Sequence, residues 1–177
     1  MKTYFSPSSI AVIGASPRED SLGGQILANL RYGYAGLIYP VNPNYSEIQT
    51  LPCYATVEKI SGPVELAIII IPAPAVPGAL ASCGRKGIRR VIIESAGFAE
   101  TGKEGRLLQE RCLSVARAAG IRIWGPNCMG LVDIPKKFFF TFMHPNIYKD
   151  GLIEGRISMV VQSGMLSAGF LADLAQN

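Results

Sequence analysis

The sequence has neither a long apolar run nor an apolar leader. Of its 177 residues, 49% are hydrophobic and 17% are charged. No uninterrupted apolar segment approaches the ~20 residues that a membrane-spanning helix needs. The N-terminal stretch, MKTYFSPSS, lacks the apolar core of a signal peptide. We therefore expect a cytoplasmic protein without a membrane partner.

The sequence also lacks the spacing of a metal site. Its four cysteines, at positions 53, 83, 112 and 128, form no C-x-x-C pair. Its single histidine does not stand at ligand spacing from any of them. We expect free thiols in a reducing compartment and no bound metal.

Charge is too sparse to indicate a nucleic-acid partner. Lys and Arg number 17 against 13 Asp and Glu, and the resulting net charge of +4 suits an anionic small molecule. The densest basic run, RKGIRR at 85–90, has no aromatic residues beside it that could stack on bases. We expect a solvated turn there and no nucleic-acid binding.

Short apolar strands alternate with helical patterns over the first 127 residues, and each strand ends in Gly, Pro or Asn. The runs are SIAVIG, GLIYPVNP, ELAIIIIPAP, RRVIIESAG and IRIWGPN. Strands that are apolar on both faces belong to a parallel sheet covered by helices on each side. Right-handed crossovers then make that sheet doubly wound. We therefore predict an α/β, Rossmann-like domain over residues 1–130.

The helices between these strands have recognisable ends. Gly87 and Gly120 each follow a stripe of apolar residues at helical spacing, and they predict where two helices end. Thr101 and Glu104 have the spacing of a capping box, which predicts the start of the last helix of this domain.

The alternation lapses after residue 130 and resumes near residue 151. Residues 131–150 are aromatic, basic and interrupted by proline, which predicts a linker with room for one strand. Residues 151–177 repeat the order of strand, small-residue turn and helix, and we predict that they are the truncated first β-α unit of a second domain. A lone unit of this kind cannot bury its own faces, so we expect it to pack on other residues.

The first strand-to-helix turn departs from the dinucleotide fingerprint G-x-G-x-x-G. Gly14 holds the first glycine position, whereas Ser16 and Glu19 hold the second and third. Backbone N–H groups in this turn and at the helix start near 21–24 can still face a phosphate, and Arg18 adds a cation. These features favour a pyrophosphate site, and a tight turn with nothing bound is the alternative.

The end of the second strand argues against a nicotinamide cofactor. An NAD site places an acid there to hold the ribose, and an NADP site favours a cation. Residues 39–44, YPVNPN, contain neither. A plain Asx or proline turn is the structural alternative for this segment.

The three remaining strand ends carry prolines and small residues. Pro72 and Pro74 make a rigid wall that suits a flat ring, with helix initiation as the alternative. The small residues 95–97 allow a ligand to approach the backbone closely. Asn127 and Cys128 are expected at the rim, near a thiol-bearing ligand end, and a buried structural role is the alternative for Cys128.

Six segments, in their order and spacing, resemble the NDP-forming acyl-CoA synthetases. That family includes the ADP-forming acetyl-CoA synthetases and the α subunit of succinyl-CoA synthetase. The segments are SIAVIGAS, YPVNPN, IPAPAVP, SAGFAETGKEG, GPNCMG and VVQSGMLS, and the resemblance covers essentially the whole chain. It implies a Rossmann-like CoA-binding domain followed by a flavodoxin-like α/β domain, of which residues 151–177 would be the start.

The resemblance also implies how CoA binds. The first turn would hold the phosphates of the nucleotide end, and the VNP and SAG turns would flank the nucleotide and the pantetheine arm. Asn44 stands where the family often carries a lysine, which removes one expected phosphate contact. Ser163 and Gly164 would help to bind phosphate. With the proline wall and the rim, the expected CoA-binding residues are Gly14, Ala15, Ser16, Pro17, Arg18, Val41, Asn42, Pro43, Asn44, Pro72, Ala73, Pro74, Ser95, Ala96, Gly97, Asn127 and Cys128.

The family's reaction interconverts acyl-CoA, NDP and phosphate with a carboxylic acid, CoA and NTP through a phospho-histidine. His144 does not match that histidine, so the resemblance implies no catalytic residue in this chain. It implies CoA as the ligand here, with ATP or ADP and Mg²⁺ used only in the complete enzyme. It also implies a carboxylic acid substrate, an ATP-grasp domain or subunit as a partner, and an oligomer.

Two other functions stay open. One is a non-catalytic CoA-binding regulatory module, including that of a protein acetyltransferase. The other is an NAD(P)-binding oxidoreductase domain, against which the acid-free end of the second strand argues.

Overall fold

Nine strands and four α-helices make up the regular structure of the computed structural model, which describes residues 4–144, 147, 152 and 155–174. The strands are β1 Ser9–Ile13, β2 Leu37–Val41, β3 Glu47–Ile48, β4 Leu51–Pro52, β5 Leu66–Ile69, β6 Arg90–Ile93, β7 Arg122–Trp124, β8 Leu131–Asp133 and β9 Phe138–Phe140. The helices are α1 Leu22–Gly33, α2 Val76–Lys86, α3 Lys103–Ala118 and α4 Gly164–Leu174. Short 3-10 turns cover Val57–Lys59, Ala73–Ala75 and Ala99–Thr101.

Five of the strands form one parallel sheet in the order β2-β1-β5-β6-β7. The central strands β1, β5 and β6 are apolar on both faces, because helices or a hairpin cover each face. This arrangement confirms the predicted Rossmann-like, doubly wound α/β sheet. Strand order reverses between β1 and β5, which is where ligands bind in sheets of this kind.

The two faces of the sheet bury separate cores. On one face, side chains of β1, β5 and β6 pack against α2 and α3, with Leu80 and Cys112 at the centre of the contact. On the other face, Ile10, Ile68 and Ile92 pack against α1 and against the hairpin of β8 and β9.

The capping box predicted at the start of α3 does not form. The hydroxyl of Thr101 donates to the carbonyl of Phe98 at 2.9 Å, because Thr101 ends a 3-10 turn and is already engaged there. Gly102, with φ +104°, is the N-cap instead and supplies no side chain. The helix ends agree with prediction: Gly87 and Gly120 follow α2 and α3 with φ +87° and +65°.

The segment predicted as a linker begins with structure that belongs to the first domain. Phe140 is fully buried between the sheet and α1, and Phe138 packs beside it. The side-chain amide of Asn29 in α1 donates to the carbonyls of Thr141 at 2.6 Å and Met143 at 2.7 Å. The prediction allowed a single strand here, because a run of aromatic residues has no alternation that would separate two. The rest of 145–150, apart from 147, lies outside the described residues.

The last described segment contains the predicted helix but not the predicted strand. Residues 155–162 have no strand, and Ile157 and Val160 are about nine-tenths exposed at 88% and 91%. A strand needs a partner, and none of the described residues pairs with this segment. The helix α4 follows, and no described helix is long and apolar enough to cross a bilayer.

Glu94, directly after β6, is a carboxyl group inside the core. It is 3% exposed, and a Cβ at Gly130 would lie 2.6 Å from its Oε1. No described group makes a well-formed hydrogen bond to either carboxyl oxygen, although the backbone of Phe142 is close enough to favour the charged form slightly. Burial dominates and raises the pKa of Glu94 well above its ordinary value, which favours the neutral acid.

The Asn29 contact should contribute strongly to stability. We expect Asn29→Ala to lower the free energy of unfolding by about 2–4 kcal/mol, because two buried carbonyls lose their donor. Urea unfolding followed by circular dichroism measures the change. Asn44→Ala, at an exposed position, is the matched control and should change stability by less than about 0.5 kcal/mol. Equal effects of the two variants would contradict this role for Asn29.

Glu94 should make stability fall as pH rises. The pKa of Glu94 is raised in the folded state. The contribution of this carboxyl group to the free energy of unfolding is therefore complete below the ordinary pKa of 4.5, and it is lost as pH rises through the pKa of the folded state. We expect Glu94→Gln to be more stable than the wild type at pH 8, with the difference shrinking towards pH 4. Each unit of pKa shift corresponds to about 1.4 kcal/mol.

Denaturant unfolding at several pH values gives the curves for this comparison. Glu110→Gln, which changes an exposed carboxyl on α3, is the control. A wild-type curve parallel to that of Glu94→Gln would show that Glu94 is ionised in the folded protein.

Candidate functional site

A cleft opens at the carboxyl ends of β1 and β5, where the strand order reverses. It has a volume of about 350 Å³. The residues that the sequence predicted and that line this cleft are Gly14, Ser16, Pro72, Ser95 and Ala96. These residues come from the first, third and fourth predicted strand ends, so the fold brings three of the predicted segments together.

Two glycines allow α1 to begin directly against the end of β1. Gly14 has φ +96°, and a Cβ there would lie 2.2 Å from the carbonyl oxygen of Ile70. A Cβ at Gly23 would lie 2.0 Å from the carbonyl oxygen of Gly14. The glycine that permits close approach of helix and strand is therefore Gly23, further along the chain than the fingerprint position that Glu19 occupies.

The first turn of α1 presents backbone N–H groups to the cleft. Ser21 is the N-cap, and its hydroxyl accepts a hydrogen bond from the N–H of Gly24 at 3.2 Å. Leu22 and Gly23 both line the cleft, and no described residue accepts a hydrogen bond from their N–H groups. Such groups, together with the positive end of the helix dipole, favour an anion.

The side chains of the predicted phosphate turn have different roles. Ala15 is fully buried, and Pro17 is exposed. The Ser16 hydroxyl accepts a hydrogen bond from the N–H of Arg18 at 3.2 Å. Arg18 donates from Nε and Nη2 to the two carboxylate oxygens of Asp20, at 3.2 and 3.0 Å. These hydrogen bonds hold the pKa of Asp20 below its ordinary value, so the pair is charged at neutral pH.

The VNP turn after β2 is braced against the first turn. The Nδ2 of Asn42 donates to the carbonyl of Ala15 at 2.8 Å, and its Oδ1 accepts from the N–H of Asn44 at 3.0 Å. Val41 is buried, whereas Pro43 and Asn44 are exposed. The contact with Asn44 is the Asx turn that the sequence analysis gave as the alternative for this segment. The contact with Ala15 joins two loops, which the sequence did not indicate.

Ser95 joins three strand ends. Its Oγ accepts a hydrogen bond from the N–H of Ile71 at 3.0 Å, and its carbonyl accepts from the N–H of Asn127 at 3.0 Å. Pro72 and Ala96 are exposed on either side of this link and line the cleft. The wall of the cleft is thus fixed by a buried hydroxyl rather than by the prolines alone.

The SAG turn is closed by a carboxylate from its own loop. The N–H groups of Gly97 and Phe98 donate to Oε1 of Glu100 at 2.6 and 3.0 Å. Slight burial raises the pKa of Glu100, but these hydrogen bonds outweigh it, and the pKa lies below its ordinary value. Gly97 packs against Ala73, which is buried in the 3-10 turn where Pro74 is exposed. Neither Ala73 nor Pro74 lines the cleft.

The loop after β7 holds the two predicted rim residues. Asn127 is exposed and has φ +52°. Cys128 is partly buried, and its Sγ donates to the carbonyl of Ile93 at 3.4 Å. Burial raises the pKa of Cys128 to about 11, so the thiol stays protonated at neutral pH and is not a nucleophile.

The start of α4 lies beside this loop. A Cβ at Gly164 would lie 2.5 Å from Cγ of Met129. Ser163 caps the helix, since its hydroxyl accepts a hydrogen bond from the N–H of Leu166 at 3.3 Å. The predicted phosphate residues Ser163 and Gly164 are therefore close to the predicted rim residues.

Five further residues line the cleft: Ser21, Leu22, Gly23, Ile70 and Ile71. The sequence indicated the helix start at 21–24 as a source of backbone N–H groups for a phosphate, but it did not place Ile70 and Ile71 in the site. The glycine pair at 23 and 24, just past the capping Ser21, is a sequence signal for that helix start. Ile70 and Ile71 carry no such signal, because they continue an apolar strand and differ from it only in position. The contacts of CoA with all the named residues stay predictions.

Comparison with known proteins gives consistent results. The model of the CoA binding domain family matches residues 8–133. The ADP-forming acetate–CoA ligase I of Archaeoglobus fulgidus is 43% identical over 166 residues, which are 93% of this chain and 23% of that protein. The alpha subunit of the ADP-forming acetate–CoA ligase II of Pyrococcus furiosus is 39% identical over 168 residues, 95% of this chain and 35% of that subunit.

A solved structure has the same fold. It is the dinucleotide-forming acetyl-coenzyme A synthetase 1 of Candidatus Korarchaeum cryptofilum in complex with phosphate and ADP. The TM-score is 0.88 with 33% sequence identity, over 97% of this chain and 36% of that one. The chain thus spans between 23% and 36% of the length of these three relatives. Since the family model covers the whole parallel sheet and continues through β8, the chain belongs to the CoA binding domain family.

Proposed function

We propose that this chain is the CoA-binding part of an ADP-forming acyl-CoA ligase. The observation that carries the proposal is the cleft at the reversal of strand order, which lies within the segment that matches the CoA binding domain family. Ligands of doubly wound sheets bind at this edge. The names of the relatives, which are ADP-forming ligases of acetate and CoA, supply the class of reaction.

The nucleotide end of CoA fits the side of the cleft formed by α1. The N–H groups of Leu22 and Gly23 would donate to a phosphate, and the Ser16 hydroxyl lies at the same turn. Helix N-termini favour phosphates because the unpaired N–H groups and the dipole act together. Arg18, two residues after Ser16, would add a cation to this end of the site. In this structure its guanidinium forms an ion pair with Asp20.

The pantetheine arm would leave this end and pass over the exposed faces of Pro72 and Ala96. Both residues line the cleft, and neither side chain offers a charge that would oppose an uncharged arm. The arm would then reach the loop of Asn127 and Cys128, beside which Ser163 begins α4. In this proposal Cys128 shapes the site and does no covalent chemistry, because its thiol is protonated.

The remainder of the reaction would take place outside these residues. The carboxylic acid, ATP or ADP with Mg²⁺, and the histidine that carries the phosphoryl group would be held by further domains or subunits, including one of the ATP-grasp type. The alpha-subunit name of one relative supports such a division. We propose that the complete protein is an oligomer located in the cytoplasm, and that this chain binds CoA without turnover.

A nicotinamide cofactor fits the site less well than CoA. The turn that follows β2, residues 41–44, carries no acid for the ribose, and the side chain of Asn42 is already engaged with Ala15 and Asn44. A regulatory CoA-binding module would share the cleft. Acyl-CoA synthesis by the complete protein, which a module of that kind would not support, distinguishes the two.

Filling the cleft should weaken CoA binding. We expect the wild-type chain to bind CoA in isothermal titration and Ala96→Phe to weaken that binding by about tenfold or more, since an aromatic ring would occupy the ligand's volume. Ala96 is exposed, so the larger side chain needs no rearrangement of the core.

Ala118→Phe is the matched control. Ala118 is also exposed, but it lies in the last turn of α3, away from the cleft. It should leave CoA affinity unchanged. The proposal is wrong if the wild-type chain does not bind CoA, or binds NAD⁺ more tightly than CoA, or if both Phe variants retain full affinity.

A further inference from the structure

The cation of the predicted phosphate turn already has an anionic partner. Arg18 and Asp20 form an ion pair with Nη2 and Oδ2 3.0 Å apart, and both side chains are 73% exposed. A second hydrogen bond joins Nε of Arg18 to Oδ1 of Asp20 at 3.2 Å. The carboxylate thus engages one whole edge of the guanidinium, which is the edge-on geometry that arginine also uses for phosphates.

The backbone that carries Arg18 is fixed at the start of α1. The carbonyl of Arg18 accepts hydrogen bonds from the hydroxyl and the N–H of Ser21, at 2.7 and 3.2 Å. A Cβ at Gly24 would lie 1.9 Å from that carbonyl oxygen, so the first helical turn packs directly against it. Arg18 does not itself line the cleft, but these contacts hold its backbone against Ser21, which does. Its side chain is therefore the part that can change partners.

The charges of residues 18–20 make the pairing of Arg18 with Asp20 important for CoA binding. The residues Arg18, Glu19 and Asp20 carry one positive and two negative charges. CoA is a polyanion, so an acid beside its phosphate site opposes binding unless the acid is compensated. Glu19 is exposed and makes no ion pair with any described residue, whereas Asp20 pairs with Arg18.

We propose that Asp20 is an affinity-setting residue that occupies the phosphate-binding edge of Arg18 in the unliganded protein and is exchanged for a phosphate group when CoA binds. This inference rests on the proposed function. Asp20 acts through Arg18 by competing with the phosphate for its guanidinium. The binding free energy that CoA gains from the Arg18–phosphate contact is reduced by the loss of the Arg18–Asp20 contact. The chemical class that this site selects is a phosphate with at least two free oxygens, since a single oxygen would not replace both contacts of the carboxylate.

A double-mutant cycle with a matched charge control tests the inference. CoA affinity is measured by isothermal titration for the wild type, Asp20→Asn, Glu19→Gln, Arg18→Ala and the two combinations with Arg18→Ala. Asp20→Asn and Glu19→Gln each remove one negative charge from the same loop and differ in whether the acid pairs with Arg18. The ratio of their dissociation constants for CoA therefore separates the competition for Arg18 from the general effect of removing one negative charge.

The expected results have definite directions. Arg18→Ala should weaken CoA binding by about tenfold. Asp20→Asn should bind CoA about two- to fivefold more tightly than Glu19→Gln, because an exposed ion pair is broken in advance. With Arg18→Ala present, the two acid substitutions should have the same effect. A residue that only supports the loop would weaken binding when replaced, so a gain in affinity is not a structural effect.

Several results would overturn the inference while leaving CoA binding intact. Asp20 does not compete for Arg18 if Asp20→Asn binds CoA no more tightly than Glu19→Gln, or if it keeps its advantage over Glu19→Gln in the absence of Arg18. Full affinity of Arg18→Ala removes Arg18 from the site and the inference with it. Failure of the wild-type chain to bind CoA rejects the proposed function itself, which is a different result.

Discussion

The lack of a side chain at Gly14, which follows β1, and at Gly23, in the first turn of α1, determines the geometry of this edge of the cleft. Gly14 lies so close to the carbonyl of Ile70, and Gly23 so close to the carbonyl of Gly14, that a methyl group at either position would overlap backbone atoms. Because these contacts are made, α1 begins directly against the end of β1, and its first residues, Leu22 and Gly23, line the cleft. The proposal that phosphates bind at this edge depends on that placement.

Most polar groups near the cleft stabilise its loops. Asn42 joins the turns that follow β1 and β2, Ser95 joins those that follow β5, β6 and β7, and Glu100 closes the SAG turn. Each of these side chains is engaged with backbone groups of the protein. The groups that remain for a ligand are mainly main-chain donors and small side chains, which suits a ligand whose phosphates are numerous and whose arm is uncharged.

The sequence predicted the sheet more completely than the site. The apolar strands ending in Gly, Pro or Asn are enough to predict five parallel strands, because only a sheet covered on both faces buries them. The capping box at Thr101 failed because a nearby carbonyl, that of Phe98, binds the hydroxyl first. Such competition depends on the loop conformation. So does the role of Gly23, which allows the close approach of helix and strand in place of a fingerprint glycine. The two strands within the all-aromatic run depend on the loop conformation as well. None of these can be deduced from spacing alone.

Helix α1 has a second attachment that links distant parts of the molecule. At its N-terminus it borders the cleft, and at Asn29 it binds the chain that leaves β9. Separating that chain would expose the apolar face of α1 and orphan two buried carbonyls, so the helix and the strand open together as one cooperative unit. The hydrogen-bonded amide protons of α1 beyond its first turn and those of residues 138–143 would therefore show a common free energy of opening in hydrogen–deuterium exchange, even though the cleft borders only one of the two segments.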